Sequence, residues 1–328
     1  MPPSGLGHAA LRAGTLAGAP ELVSARRANL ICGTIKVAPT SGNERSGAIA
    51  LPRIDNWLVK GFEQFFLPRY LRKHFHAIAV NSVNLSPEVH STAASLVLYA
   101  NHASWWDPMV AMFIHRRVMT PDRRMYAPMD AAALARYRIF NRMGFYGIET
   151  HSPRAAVQFL QPSLRILQQP KTSIALTPEG KFCDVRDSQQ PLMPGLAHLA
   201  SAIENTEVTQ GAASRCVWFV PAAIEYCFWE ERLPECLCWF GPVMRAEWGR
   251  PSKSKAAWQS ELTIGLRSAQ RAVSAASIAR DSSQFEILLS GRTGTWRPYD
   301  AARRLAARMR GKPIDLQHGE KLSNRRSD

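Results

Sequence analysis

The chain has 328 residues, 46% of them hydrophobic, which is enough for one large α/β domain or two modest ones. Its 41 Lys and Arg against 26 Asp and Glu give a formal charge of +15, which favours polyanionic partners such as nucleic acid, anionic lipid headgroups or phosphorylated substrates. The six cysteines form no CxxC pair and no second pair at zinc-ligand spacing, which argues against a disulfide framework or a metal site and fits a cytoplasmic location.

The first 50 residues are rich in Gly, Ala, Pro and Ser and show no sustained periodicity, so we expect a disordered N-terminal segment. They lack the compact apolar core of a secretory signal. No apolar run in the chain approaches the ~20 residues that a spanning helix needs. The sequence therefore predicts a soluble or peripheral protein.

Residues 57–75 interleave aromatic and basic side chains near helical spacing, and Pro68 should kink or break the segment. The aromatic residues are Trp57, Phe62, Phe65, Phe66, Tyr70 and Phe75, and the basic ones are Lys60, Arg69, Arg72 and Lys73. Two interpretations stay open: an amphipathic helix packed on the domain, or an interfacial helix with its rings among lipid headgroups and its cations on anionic phosphates.

Strand-like and helical stretches alternate from there on, which predicts an α/β domain with a largely parallel sheet flanked by helices. The predicted strands are 76–83, 96–100, 144–148, 173–176, 217–224 and 237–240. The predicted helices are 108–117, 131–143, 154–168 and 194–203. A further helix follows, with Trp258, Leu262, Leu266, Ala269 and Val273 on one face. Residues 291–312 are strongly basic and are either a solvated helix face or a lipid contact.

The most informative stretch is residues 101–108, Asn-His-Ala-Ser-Trp-Trp-Asp-Pro, which links the strand 96–100 to a helix. His102 would therefore lie at the carboxyl end of a sheet strand, where open α/β sheets bind ligands. Asp107 can hold one ring nitrogen of His102, which leaves the other free to accept a proton from a hydroxyl. The alternative is that both residues merely cap the helix. Trp105 and Trp106 either wall a substrate channel or pack in the core.

The pattern N-H-x-S-x-x-D-P after an apolar strand resembles the first motif of the glycerolipid acyltransferase family, the lysophosphatidate acyltransferases and their relatives. The residues 177–182, Thr-Pro-Glu-Gly-Lys-Phe, resemble the third motif, and Val220-Pro221 resembles the fourth. The stretch 144–148 resembles the second motif in outline. These motifs stand in the family's order.

The resemblance implies an O-acyltransferase domain at 51–250, with a helical basic extension at 251–328. It would move a fatty acyl group from acyl-CoA or an acyl carrier protein to a lipid hydroxyl, as in 1-acylglycerol-3-phosphate acylation during phospholipid biosynthesis. His102 would be the general base and Asp107 would orient it, and no cofactor or metal is implied. The residues implied for substrate binding are Asn101, Ser104, Glu179, Gly180 and Lys181, with Arg154 and Arg186 as nearby cations.

Two departures from the family pattern bear on the acceptor. The family's second and third motifs carry arginines that grip the acceptor phosphate, where this chain has Glu149-Thr150 and Lys181-Phe182. Lys181 offers a point charge without a two-pronged grip, although Arg154 or Arg186 could replace it. The sequence therefore predicts an acceptor without a phosphate monoester, such as a neutral glycolipid.

Two other functions stay open. A hydrolase could use the same His and Asp on an ester or thioester. A nucleic-acid-binding module would explain the charge, but the sequence has no recognition-helix, zinc-finger or RNP-type signature, and no nucleic acid is expected as a partner. The expected location is cytoplasmic, on the inner face of a membrane with an anionic surface.

Overall fold

A nine-stranded sheet is the centre of the computed structural model, which describes residues 51–91, 94–120, 122–149, 152–207 and 216–292. The strands are β1 (Ala77–Asn81), β2 (Ser95–Ala100), β3 (Arg124–Asp130), β4 (Phe145–Ile148), β5 (Thr172–Leu176), β6 (Cys216–Cys227), β7 (Glu235–Phe240), β8 (Met244–Glu247) and β9 (Glu286–Ser290). Their order is β4-β3-β5-β2-β6-β7-β1-β9, and β8 pairs with β6.

Parallel pairing dominates the sheet. β2 runs parallel to β5 and β6, β3 runs parallel to β4 and β5, and β1 runs parallel to β7. The pairs β1–β9, β6–β7 and β6–β8 are antiparallel. The predicted α/β fold with a mostly parallel sheet is confirmed.

Helices cover both faces of the sheet. They are α1 (Asn56–Gly61), α2 (Leu67–His74), α3 (Asp107–Val118), α4 (Ala131–Arg136), α5 (Ala155–Leu167), α6 (Gly195–Glu204) and α7 (Lys255–Ala279). Successive residues of β2 show the two layers: Leu96 packs in one core with α2 and α3, and Val97 packs in the other with α5, α6 and α7. Strands buried on both faces read as continuous apolar runs, as β2 does.

All six predicted strands and the predicted helices are present, with ends shifted by a few residues. The predicted helix 131–143 is shorter, because α4 ends at Arg136 and a 3₁₀ segment follows over Arg138–Met143. β3, β8 and β9 were not predicted. β3 contains Pro128 and lacks strict alternation, and it changes partner from β5 to β4 along its length.

Helix α7 lies beyond the predicted limit at residue 250, but it shares the core of the sheet. Trp258, Leu262 and Leu266 are almost fully buried in the same cluster as Phe219 of β6. The predicted domain limits at 50 and 250 stay predictions. Residues 1–50 and 293–328 lie outside the described part of the chain. The predicted disordered N-terminus and most of the basic stretch 291–312 lie there too.

The aromatic segment predicted at 57–75 is helical from Asn56 to His74, with a π-helical turn at Phe62–Phe66 between α1 and α2. The π-turn ends two residues before Pro68, whose missing N–H disturbs the regular bonding of the helix. Leu67 and Leu71 are fully buried on the domain, whereas Trp57 and Phe65 are 87% and 60% exposed. The helix therefore packs by one face and leaves aromatic rings on another.

A row of rings connects this helix to the loop after β2. Phe62, Phe66 and Tyr70 stack at intervals of four residues, with centroid distances of 5.2 Å and 5.4 Å. The row continues to Trp106, whose ring centroid lies 5.8 Å from Tyr70 and 5.1 Å from Phe75. Within the described ranges, no helix combines the length and apolarity that crossing a membrane requires.

Candidate active site

The loop that carries His102 leaves the sheet at the carboxyl end of β2, in the middle of the strand order. Asn101 is fully buried, and its side-chain amide makes two hydrogen bonds with Ile224 of β6. Nδ2 donates to the Ile224 carbonyl at 3.0 Å, and Oδ1 accepts the Ile224 N–H at 2.7 Å. The amide thus imitates a further residue of β2 and fixes the start of the loop. The amide nitrogen and the amide oxygen of Asn101 both bind Ile224, and a contact of Asn101 with substrate stays a prediction.

Asp107, the first residue of α3, holds the imidazole of His102. Its Oδ2 lies 2.7 Å from His102 Nδ1 and accepts the backbone N–H of Ser104 at 3.0 Å. Among the residues that the structure describes, no N–H of α3 donates to this carboxylate, so the predicted alternative of a simple helix cap does not describe its contacts. With Nδ1 donating to Asp107, Nε2 of His102 carries the ring lone pair. The side chain of His102 is 22% exposed, so it is not sealed within the core.

Tyr226, near the end of β6, completes the support of Asp107. Its hydroxyl donates to Asp107 Oδ1 at 2.7 Å. Burial raises the pKa of Tyr226 well above its usual value, and the nearby Cys236 and Asp107 add to the effect. The phenol therefore stays protonated and donates at any physiological pH. Asp107 is 3% exposed, and each of its oxygens accepts a hydrogen bond, as a buried carboxylate requires.

The turn after β5 meets the His102 loop through Glu179. Glu179 Oε2 accepts the backbone N–H of His102 at 2.8 Å, and Oε1 accepts from Arg267 of α7 at 2.9 Å. The side chain of Glu179 is 0% exposed. Both oxygens bind protein groups, so the acid holds the His102 loop; its predicted role in substrate binding stays a prediction. On the other side, the Cys183 N–H donates to the His102 carbonyl at 2.8 Å.

Gly180 gives this turn its shape. Its φ of +69° lies in the left-handed region, and a Cβ added there would lie 2.5 Å from the Met193 sulfur. The turn is thereby held close to Met193, whose N–H donates to the Pro178 carbonyl at 2.8 Å. Lys181 follows the turn and is exposed at the surface.

Apolar rings flank the imidazole. The Phe182 ring centroid lies 4.2 Å from that of His102, and Phe182 is 60% exposed. Of the two tryptophans, Trp106 packs against α2 and Phe75, whereas Trp105 is 66% exposed. Trp106 is thus a packing residue, and Trp105 lies outside the core; a role of Trp105 in walling a substrate channel stays a prediction.

The predicted cations lie in different settings. Arg186 Nη2 donates to Glu225 Oε1 at 2.6 Å, and this bond raises the pKa of Arg186. Glu225 is 2% exposed on β6, so Arg186 is the partner of a buried acid. Arg154 lies at the start of α5, and no hydrogen bond in the described residues joins its side chain to the His102 loop. The structure thus brings together His102, Ser104, Asp107, Glu179 and the turn after it.

Sequence reasoning missed Tyr226 and Arg267. Tyr226 ends the run that begins at Val220-Pro221, and its alternation with Ile224 would have placed both on one face of β6. Arg267 lies between Leu266 and Ala269 on the predicted apolar face of α7. An arginine at such a position needs an acidic partner, and that was the available signal.

No family model matches the chain, and no curated protein matches it. Among solved structures, it is similar to the crystal structure of the 1-acyl-sn-glycerophosphate (LPA) acyltransferase, PlsC, from Thermotoga maritima. The identity is 12%, the similarity covers 67% of this chain and 80% of that chain, and the TM-score is 0.42.

Proposed function

We propose that this chain is an acyltransferase that moves a fatty acyl group from a thioester to a lipid hydroxyl, with His102 as general base. The observation that carries the proposal is the pair of His102 Nδ1 and Asp107 Oδ2 at 2.7 Å, in a loop at the carboxyl end of β2. Asp107 fixes the tautomer and orientation of the ring, and Nε2 is the proton acceptor.

The reaction needs few further groups, because a thioester is already activated. Nε2 of His102 takes the proton of the acceptor hydroxyl while the hydroxyl oxygen attacks the thioester carbonyl. The tetrahedral intermediate collapses with breakage of the C–S bond, and the imidazolium returns its proton to the leaving thiolate. The products are the ester and the free thiol. Asp107 stabilises the imidazolium between the two proton transfers.

The test is an assay of the purified full-length chain with radiolabelled acyl-CoA or acyl carrier protein and mixed lipid acceptors. A labelled lipid ester supports the proposal, free fatty acid supports a hydrolase, and no turnover contradicts both enzyme functions. His102→Ala should lower turnover by ~10²–10⁴-fold, and Asp107→Asn by nearly as much. His90→Ala is the matched control, because His90 is an exposed histidine outside this loop. Wild-type turnover by folded His102→Ala would contradict the mechanism.

We further propose that the acceptor carries no phosphate monoester. Phe182 stands where the resembling family has an arginine, and its ring lies against His102, where an acceptor hydroxyl would approach. Arg186, one predicted replacement, is engaged by the buried Glu225, and Glu149 is exposed at the other substituted position. A phosphate that approached His102 would meet the apolar ring of Phe182 in place of a guanidinium, whereas a neutral hydroxylated lipid would lose nothing.

Competition between lysophosphatidate and a neutral glycolipid acceptor tests this second proposal. Phe182→Arg should shift preference toward lysophosphatidate by roughly 10–150-fold, since a charged hydrogen bond contributes about 1.5–3 kcal/mol. Phe228→Arg is the matched control, because Phe228 is 66% exposed outside the loops around His102. If the wild-type chain prefers lysophosphatidate and Arg154→Ala or Arg186→Ala abolishes that preference, the acceptor proposal is wrong.

We also propose that the chain acts as a peripheral protein on an anionic membrane surface facing the cytoplasm. The helical segment 56–74 exposes Trp57, Phe65 and Phe66 beside four exposed cations, Lys60, Arg69, Arg72 and Lys73. Binding to anionic vesicles should weaken as salt rises, because exposed charges are screened beyond ~8 Å at physiological ionic strength. Phe65→Ser should weaken binding, while Val83→Ser, at an exposed apolar residue outside this helix, should not. Equal binding to neutral and anionic vesicles would contradict the electrostatic part.

A further inference from the structure

Arg267 is a buried cation in the middle of α7, with a side chain only 6% exposed. Its Nη1 donates to Glu179 Oε1 at 2.9 Å and to the Asp187 carbonyl at 3.3 Å. It also donates to the Gln190 carbonyl and to the side-chain oxygen of Gln270. A guanidinium in such a place is tolerated only with an acidic partner and several acceptors, and the fork geometry of Arg reaches them at the same time.

The partner of Arg267 is the residue that holds the backbone of His102. Glu179 uses Oε1 for Arg267 and Oε2 for the His102 N–H at 2.8 Å. The Glu179 carboxylate is thus fixed at both ends, with a helix on one side and the His102 loop on the other. Arg267 touches none of the groups that would react. It acts at one remove from the imidazole, through a single carboxylate.

We propose that Arg267 is a positioning residue: it locks Glu179 and thereby sets the place of the His102 imidazole relative to the acceptor hydroxyl. This inference rests on the proposed acyl transfer. It explains why a charged pair stands between α7 and the turn after β5, where the neighbouring residues Leu266 and Ala269 pack without polar groups. A hydrophobic pair would fill the space equally well, but it would leave the His102 N–H without an acceptor.

The main experiment compares Arg267→Met and Arg267→Lys with wild type in acyl transfer from acyl-CoA. Arg267→Met should lower kcat by about 10²-fold, as a misplacement of about 1 Å does, while KM for the donor changes little. Arg267→Lys should recover part of kcat, because a point charge holds Glu179 without the fork. Arg271→Met is the matched control on the exposed side of the same helix and should keep wild-type kcat.

A second control separates positioning from loss of stability. Leu266→Ala empties a fully buried position of α7 next to Arg267. It should lower Tm at least as much as Arg267→Met and keep wild-type kcat at a temperature well below unfolding. If Arg267→Met fails to fold, the double variant Arg267→Met/Glu179→Gln replaces it, since both buried charges are then removed. That variant should fold and still show the lowered kcat.

Nuclear magnetic resonance gives a readout that does not depend on acyl transfer. With ¹⁵N-labelled histidine, the Nδ1 resonance of His102 is assigned through His102→Gln. Arg267→Met should broaden or move this resonance, and Leu266→Ala should leave it in place. A wild-type chain without acyl transfer contradicts the proposed function, whereas the resonance still tests the positioning. Wild-type kcat and an unchanged resonance in folded Arg267→Met, or an equal loss of kcat in Leu266→Ala, would overturn the inference.

Discussion

Tyr226→Phe removes one hydroxyl from the support of Asp107 and leaves the aromatic ring in place. The lost contact is the 2.7 Å hydrogen bond from the Tyr226 hydroxyl to Asp107 Oδ1. Hydrogen bonds to charged groups contribute about 1.5–3 kcal/mol, and each ~1.4 kcal/mol is a factor of ten in rate. If the loss falls on the transition state, kcat should drop by roughly 10–150-fold. The packing of this ring on Phe75, with centroids 5.8 Å apart, should persist.

The assay is steady-state transfer from acyl-CoA to the preferred lipid acceptor, with urea unfolding of the same preparations. Tyr146→Phe is the matched control, because its buried hydroxyl bonds to Ser163 Oγ at 2.8 Å and touches none of the residues around His102. Tyr146→Phe should lose about 1 kcal/mol of stability and Tyr226→Phe about 1.5–3 kcal/mol, and only Tyr226→Phe should lose turnover. Equal turnover in the two variants would show that Asp107 needs no third donor and would refute this account of the pair.

Three further predictions concern stability and the turn after β5. Burial raises the pKa of Glu63 from 4.5 to about 6, so ionisation of Glu63 lowers the stability of the fold as pH rises between these values. Glu63→Gln should therefore raise the free energy of unfolding at pH 7, measured in urea, by about 2 kcal/mol. Burial, with Arg123 and Arg116 nearby, lowers the pKa of His115 from 6.5 to about 3, so stability that is present above pH 6.5 is lost as pH falls toward 3. His115→Gln should make the free energy of unfolding depend less on pH over this range. Gly180→Ala should cost about 1–2 kcal/mol for the left-handed backbone and also lower turnover, whereas unchanged unfolding would contradict the strain argument.

Much of the fold was predictable because its strands are buried on both faces. β2, β5 and β6 read as apolar runs, and the helices between them carry the 3.6-residue period, so the alternation indicated a parallel sheet. β3 and β9 escaped the prediction for physical reasons. β3 contains Pro128, and β9 follows α7 after only a 3₁₀ turn at Ser282–Gln284 and pairs antiparallel to β1 through an irregular register. The residues of β3 and β9 do not indicate with which strand each of them pairs.

The core of the site was predictable because it is local in sequence. His102 and Asp107 are five residues apart in one loop, so their contact follows from the strand-to-helix turn alone. Tyr226 and Arg267 come from positions 119 and 88 residues away from their partners Asp107 and Glu179. Such contacts depend on which strands neighbour β2 and which helix covers the turn after β5. Strand alternation and helical periodicity can assign each residue to one face of its strand or helix. The order of the strands in the sheet then decides which other residues that face contacts.

The two acids that hold His102 differ in how their charge is balanced. Glu179 is paired with the full positive charge of Arg267, so the pair exerts little net field on the imidazole and mainly fixes its position. Among the described residues, Asp107 accepts from Ser104 N–H and the Tyr226 hydroxyl, which solvate the carboxylate as dipoles without neutralising it. Its negative charge therefore remains available to the imidazolium that forms when His102 takes a proton, in a setting where burial strengthens the interaction. The double variant Arg267→Met/Glu179→Gln should therefore lower turnover less than Asp107→Asn does. The double variant loses only the fixed position of the imidazole, whereas Asp107→Asn loses that position and also the negative charge that stabilises the imidazolium.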